Sequence, residues 1–391
     1  MSQSPRAGRR TALALSLLVA LGLTACGTSS ERDLDKEREP EKREKAVDRG
    51  RYEKVIKNPR PTPQEVIDVS GAPDGAVQGE DGSVLLSFHP GAPDDDEGPA
   101  VYAWRLYSPE SKRVADHAEK SNAETGIPGT FHSCAGGFLF APSQLGGKYF
   151  FLDTSGKKHP VTKRDTPRNT RPGDVLAGEA TTDGVGATYA YRPSTRTVAP
   201  VPLANNRVNG LTVDSRRGTA WAHDQGEGST PHRIVTSAAG GRSHPLPAKY
   251  SVIDLAARGG TFVAYTDRGV EFPKDPVLHL TRDGVRWWTV RGTSDMPMKD
   301  FPLHAEVDVL SDGRVLVTDA ERKRSWLSDT DGDEFTRLRT PVGFVRTSAQ
   351  GRVLYGVADS FHGSYKPVRG EGLWRSDDGG RHWTRFRDGR Y

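Results

Sequence analysis

The sequence predicts an all-β fold, a closed ring of seven four-stranded antiparallel blades (a β-propeller), with six or eight blades as the alternatives. Three observations carry this. First, 43 Gly and 27 Pro punctuate short runs rich in Val, Thr, Tyr and Trp, a composition that favours strands and turns over long helices. Second, three similar turn sequences begin at Thr281, Ser328 and Ser376, spaced by 47 and then 48 residues, and a period in the forties is that of a four-stranded blade. Third, each of these units reads as four strands: an apolar run, a turn such as Ser311-Asp312-Gly313, a second run such as Val315-Leu316-Val317, a loop, and two strands flanking the repeated turn. A pair of β-sandwiches does not explain that period.

Residues 1–25 have the three parts of an export signal: basic residues at Arg6, Arg9 and Arg10, an apolar run from Thr11 to Leu23, and small residues before a cut. The apolar run is too short to span a bilayer comfortably. Leu23-Thr24-Ala25-Cys26 resembles the bacterial lipobox. That resemblance implies that Cys26 receives a diacylglyceryl group, becomes the mature N-terminus and holds the chain at the outer face of the cell membrane, two acyl chains giving stable anchoring where one is marginal. From Glu31 to Lys45 charges of both signs interleave, with no apolar face to bury, so residues 26–62 are expected to form a solvated tether. Pro59, Pro61 and Pro63 forbid a continuing helix and mark entry into the folded domain, residues 63–391, where very little helix is expected.

With Arg6, Arg9 and Arg10 removed, the remaining basic residues nearly match the 51 acidic ones, which argues against nucleic acid as the main partner. Lipidation of Cys26 leaves Cys134 as the only thiol, so no intramolecular disulfide can form, and a buried, inert thiol is expected there. Working backwards from the three clear units with the four-strand template gives units near 206–249, 172–205, 127–171 and 64–126. Their second or third strands are Thr219-Ala220-Trp221-Ala222, Ala187-Thr188-Tyr189-Ala190-Tyr191, Tyr149-Phe150-Phe151-Leu152 and Ser83-Val84-Leu85-Leu86-Ser87. The unit at 172–205 is short.

The sharpest motif is Ser376-Asp377-Asp378-Gly379-Gly380-Arg381-His382-Trp383. It resembles the Asp box, S/T-x-D-x-G-x-x-W/F, at Ser376, Asp378, Gly380 and Trp383. In that turn the hydroxyl and the carboxylate bond to the backbone, the Gly takes a conformation other residues resist, and the aromatic packs beneath. Two copies are degenerate. One keeps Thr281, Asp283 and Trp288 but has Val285 at the Gly position; the other keeps Ser328, Gly332 and Phe335 but has Thr330 at the Asp position. The resemblance is to the repeat family shared by sialidases, xyloglucan-cleaving enzymes, sortilin-type receptors and a photosystem II assembly factor, and it implies an architecture without naming an activity.

A sialidase site, as the resemblance implies it, needs three arginines on the substrate carboxylate, a Tyr activated by Glu and an acid, with the first arginine on the opening strand. The corresponding stretch here, Glu65-Val66-Ile67-Asp68-Val69-Ser70, holds no arginine, the nearest string, Arg233-Ile234-Val235, lies in a middle blade, and Tyr355 or Tyr365 has no assignable partner. The eleven histidines contain no pair at zinc-ligand spacing, and Asp329-Thr330-Asp331-Gly332-Asp333 lacks the glycine and glutamate positions of a calcium loop, so neither metal nor cofactor is expected. In the four-strand template the loops between second and third strands open on one face, and two are long. The first blade presents an acidic loop with Asp94, Asp95, Asp96 and Glu97; the last presents Phe361, His362, Tyr365, Lys366 and Arg369. First and last blades adjoin in a ring, so these loops are candidate binding elements. The expectation is a membrane-anchored, extracytoplasmic propeller that binds a protein or glycan ligand without recognisable catalysis. The alternative is a glycoside hydrolase, sialidase-like or other, in which two carboxylates converge within about 5–10 Å.

Overall fold

The computed structural model describes residues 50–386 except 71, 72, 74, 91–100, 121–128, 143–146, 183–184, 204–207, 226–231, 238–242, 248–249, 268–275, 292–295, 297–304, 320–322, 331, 345, 351–352 and 359–371. The lipobox and the charged run lie outside these residues. Seven four-stranded sheets are present. Blade 1 is β1 (Gly75–Gln78), β2 (Val84–Phe88), β3 (Val101–Tyr107) and β4 (Arg113–Lys120), and blade 2 is β5 (Gly129–Cys134), β6 (Gly137–Pro142), β7 (Phe150–Asp153) and β8 (Lys158–Pro160). Blade 3 combines β9 (Thr162–Lys163) with β10 (Val175–Thr182), β11 (Val185–Arg192) and β12 (Thr197–Pro200). Blade 4 is β13 (Val208–Asp214), β14 (Thr219–Asp224), β15 (Arg233–Thr236) and β16 (His244–Pro245); blade 5 is β17 (Ser251–Arg258), β18 (Thr261–Asp267), β19 (Val277–Thr281) and β20 (Trp287–Val290). Blade 6 is β21 (Ala305–Val309), β22 (Val315–Asp319), β23 (Arg324–Ser328) and β24 (Phe335–Arg337), and blade 7 is β25 (Arg346–Gln350), β26 (Val353–Ala358), β27 (Gly372–Ser376) and β28 (Thr384–Arg385).

The first strand of each blade packs against the first strands of its neighbours, and β1 packs against β25, so these seven strands line a central channel. The second strands are covered on both faces by adjoining blades and are largely apolar; in β18 and β22 every residue is buried, Asp267 and Asp319 at the strand ends included. In blades 1, 2 and 4–7 the innermost strands all begin at the same end of the ring, here called the upper end.

Blade 3 departs from the template. The extended run from Lys158 crosses from the outer edge of blade 2 to that of blade 3, where β9 pairs parallel to β12. The fourth strand of blade 3 therefore precedes its other three, which is why the unit at 172–205 reads as short. Supplying that strand first reverses the sense of the rest: β10 starts at the lower end. Gly173 N donates to Ser215 O in the lower turn of blade 4 at 2.7 Å, and Val175 and Ala177 pack with Cys134 at the lower end of β5. The expectation that all second-to-third connections open on one face is thus corrected, since the turn Pro193–Thr195 of blade 3 lies at the lower end.

The expectation of an opening strand at Glu65–Ser70 is also corrected. Residues 50–57 form a helix, α1, and Pro63–Ser70 forms a second, α2. The sequence Thr-Pro-Gln-Glu is a capping box. Thr62 N donates to Glu65 Oε2 at 2.8 Å, Glu65 N donates to Thr62 Oγ1 at 3.3 Å, and Pro63 occupies the first helical position. Arg105, almost fully buried in β3, donates through Nη2 to Gln64 Oε1 at 3.1 Å and so pins α2 to blade 1. Val55, Val66 and Ile67 join one apolar cluster with Phe88, Val101 and Tyr107 of blade 1 and Tyr355, Val357, Leu373 and Phe386 of blade 7. That cluster fills the seam where the ring closes, and among the described residues no strand is exchanged between the two blades.

Candidate binding site at the mouth of the channel

An innermost strand is the edge of its sheet, so its outward N–H groups need partners from elsewhere. Carboxylates that are half-buried or buried supply several. The ladder between β17 and β18 slips between Val252 and Asp254, leaving Ile253 as a bulge, and a bulge re-aims the side chain beside it. Asp254 consequently reaches the next blade: Oδ2 accepts from Val307 N at 2.7 Å, while Oδ1 accepts from Leu255 N at 2.8 Å. Asp308 repeats the device one blade on, accepting from Val309 N at 2.7 Å and from the amide of Ala349. At the lower end of β13, Asp214 accepts from Gly259 N and Gly260 N of blade 5 at 2.9 and 2.6 Å.

Between the innermost strands of blades 5, 6 and 7 lies a cavity of about 400 Å³ at the upper end of the channel. Asp254, Glu306, Asp308 and Thr347 form its polar lining, and Ile253, Ala305 and Val307 its apolar lining. Glu306 is exposed, whereas Asp254 and Asp308 are half-buried. Loss of water around Asp254, reinforced by the charges of Glu306 and Asp308, pushes its carboxyl up to about 7 against the two N–H bonds that favour ionisation. Burial pushes Asp308 up to about 6, with Arg258 the main opposing influence. The site thus joins one exposed carboxylate to two that exchange protons near neutrality. Such a lining accepts hydrogen bonds from hydroxyl, amino or guanidinium groups. Among the described residues no three His, Cys, Asp or Glu side chains gather as metal ligands would.

The turns singled out in the sequence are structural parts at the lower end. Gly380 N donates to Ser376 Oγ at 2.8 Å, and Arg381 N and His382 N donate to Asp378 Oδ1 at 3.0 and 2.9 Å. These bonds, the His382 amide first, hold Asp378 well below the usual carboxylate range. Trp383 Nε1 donates to Gly380 O at 3.1 Å. In the Thr281 copy the turn is one residue shorter. Gly284, at φ +73°, already fills the glycine position and donates to Thr281 Oγ1, and Asp283 accepts from Val285 N and Arg286 N. The residue opposite Thr281 is Trp287, packed among Trp221, His244 and Phe262, so Trp287 and not Trp288 is the aromatic of this turn. Trp288 instead faces Leu280 across the ladder and lies beside Gly332 of the next turn. In the Ser328 copy, where Phe335 does pair with Ser328, the acceptor is Asp329, whose Oδ1 takes Gly332 N at 2.7 Å and Asp333 N at 3.1 Å.

Asp94, Asp95, Asp96, Glu97, Phe361, His362, Tyr365, Lys366, Arg369 and Cys26 lie outside the described residues. Cys134 is buried, and burial pushes its thiol up to about 12. Arg233 pairs with Asp224 at 2.7 Å, and Tyr355 is buried in the seam with its hydroxyl also pushed up to about 12 by burial, the opposite of an activated nucleophile. Asp254, Glu306, Asp308 and Thr347 carry no motif that marks them in the sequence. The available signal was an acid set between apolar neighbours, Val307-Asp308-Val309, in the apolar run before the Ser311-Asp312-Gly313 turn.

No family model matches the chain, and no curated protein matches it. Among solved structures it is similar to Pyrococcus horikoshii acylaminoacyl peptidase (10% identity, TM-score 0.52, 81% of this chain and 52% of that one). It is also similar to the β-propeller domain of the Trilobed protease from Pyrococcus furiosus (9% identity, TM-score 0.49, 81% and 98%) and to YCF48 bound to D1 peptide (13% identity, TM-score 0.38, 66% and 81%). At such identity the peptidase likeness concerns the propeller fold and not the chemistry, and the other two superpose more loosely.

Proposed function

We propose that the chain is an exported, lipid-anchored propeller of the Asp-box class that binds a protein or glycan ligand at the upper mouth of its channel without turning it over. The binding part rests on the cavity of about 400 Å³ lined by the exposed Glu306 and by Asp254 and Asp308, whose carboxyls burial pushes up. The anchoring part rests on the lipobox-like Leu23–Cys26 and the short apolar run before it. Because ionisation of Asp254 and Asp308 strengthens attraction for an amino or guanidinium group, a cationic peptide should bind more tightly as pH rises from about 6 to 8. Thermal-shift and calorimetric titration with lysine- and arginine-containing peptides and with neutral oligosaccharides tests this. At least one class should bind the wild type, and Glu306→Gln should weaken that binding about tenfold; equal binding by the variant removes the cavity from consideration. For the anchor, Cys26→Ser should move the protein out of the membrane fraction, and unchanged membrane association would overturn that part.

A second reading, glycoside hydrolysis, is favoured by one observation: two carboxyls of raised proton affinity line the same cavity. Against it, both oxygens of Asp254 already hold backbone N–H groups. Turnover of fluorogenic glycosides, sialosides included, above a heat-treated control would establish it.

A further inference from the structure

At the lower end of blades 3 and 4 several exposed arginines start from the strap and the turns. After β9 the chain forms a strap, residues 164–174, in which Arg168 turns inward and donates to Thr197 O at 2.9 Å and Ala190 O at 3.4 Å. The strap then docks on the lower turn of blade 4. A Cβ added at Gly218 would stand 2.0 Å from the Arg171 carbonyl carbon, so only glycine permits this approach. The docking sets the Arg171 backbone against Gly218, the residue after Arg216 and Arg217, and Arg196 follows the Pro193–Thr195 turn of blade 3 at φ +50°.

Among the described residues, none of these four guanidinium groups bonds to a carboxylate. Arg171 Nη2 donates to Ser194 Oγ at 3.0 Å, Arg216 Nη1 to Ser311 O at 2.9 Å and Arg217 Nη1 to Arg282 O at 3.2 Å, while Arg196 lies 5.9 Å from the ring of Phe151. The nearby carboxylates are already engaged: Asp174 and Asp214 are each 1% exposed and occupied, and of the exposed acids beside the Arg216 and Arg217 acceptors, Asp312 pairs with Arg314 and Asp283 accepts from the amides of Val285 and Arg286. Asp174 accepts from Arg192 and from Arg171 N, and Asp214 from the amides of Arg216, Arg217, Gly259 and Gly260. In the stretches 161–174, 193–196 and 215–218, Asp165 is the one exposed acid. Each guanidinium has donors left over, and a planar fork of N–H groups matches phosphate oxygens two at a time. Three of the groups are anchored on turns of three different blades, at Ser194, Ser311 and Arg282, an arrangement suited to an extended ligand rather than to one small anion.

We propose that this lower face binds phosphate groups repeated along a flexible, soluble polyanion, through Arg171, Arg196, Arg216 and Arg217. The reading is independent of the channel cavity, which lies at the opposite end. The test uses the full chain carrying Cys26→Ser, so that no acyl group contributes, titrated by calorimetry with inorganic polyphosphate, with orthophosphate and with phosphatidylglycerol vesicles. Polyphosphate should bind, with log K falling linearly against log salt concentration. Replacing all four arginines by Ala should lower that affinity at least tenfold, and Arg171→Ala or Arg216→Ala alone about threefold, which covers failure of the fourfold variant to fold. Replacing Arg337, Arg339, Arg381 and Arg385, exposed on blades 6 and 7, should change it less than twofold. The proposal is overturned if polyphosphate does not bind, if the control variant loses as much affinity, if orthophosphate binds as tightly as the polymer, or if vesicles bind and polyphosphate does not.

Discussion

Asp254 combines two roles that pull its carboxyl in opposite directions. As a staple between blades it accepts two backbone N–H bonds, which favour the charge; as part of the cavity wall it loses water and faces Glu306 and Asp308, which disfavour it, and the second influence wins. An Asp that titrates near 4 when unfolded and about 7 when folded holds more protons in the folded state across that interval, so its contribution to stability is full in acid and is lost as pH rises. His223 and His279, lowered by burial to about 4, act with the opposite sign, losing stability as pH falls from about 6.5 to 4. The wild-type profile mixes both, but a difference isolates one. Asp254→Asn should therefore gain stability relative to wild type steadily between pH 4.5 and 7.5 in urea titrations. A flat difference would mean that the carboxyl titrates normally.

At the scale of the turn and the blade, the same motif is built in three ways. Two lapses from the motif are repaired by a neighbour: Gly284 takes up the glycine role in a turn shortened by one residue, and Asp329 takes up the acid role one position early. Where the glycine stands in the left-handed region, a side chain is strained regardless of the motif. Gly380 sits at φ +90°, and a Cβ added there would stand 2.7 Å from Leu338, so replacement by Ala should cost about 1–2 kcal/mol. Val285→Gly, which restores the written motif, should bring no stabilisation, because Gly284 already serves and Val285 is 55% exposed. Thermal melts of the two variants decide this; a stabilised Val285→Gly would show that the turn follows the sequence pattern after all. Blade 3 makes the corresponding point about strands, since its outer strand comes from before it and turns its inner strand over.

For the whole ring, closure is the weak point of any propeller whose first and last blades exchange no strand. Here apolar packing serves instead. The Tyr107 and Tyr355 rings meet Phe386 edge-on at 5.2 and 6.2 Å, and α2 adds Val66 and Ile67, both 0% exposed. Ile67→Ala leaves a cavity in the seam and should cost about 2–5 kcal/mol in equilibrium denaturation. A loss below about 1 kcal/mol would show that the helix merely covers a ring already closed without it.

The period of 47 and 48 residues, the turn chemistry and the largely apolar second strands pointed to a propeller of about seven blades, because each is local: a blade repeats when its strands and turns repeat; the count of seven, against six or eight, came from the sheets themselves. The capping box at Thr62–Glu65 is equally local, yet the family pattern sets an opening strand over the same residues, and the helix signal is the one the chain obeys. What only the tertiary structure decided are relations between segments far apart in sequence. Asp254 meets Val307, Asp308 meets Ala349, the strap meets the turn of blade 4, and α2 meets the closing seam. A carboxylate's proton affinity depends on which charges and how much water surround it, and an arginine's availability on whether a buried acid is already taken, so neither the channel site nor the lower face exists until the ring has closed around them.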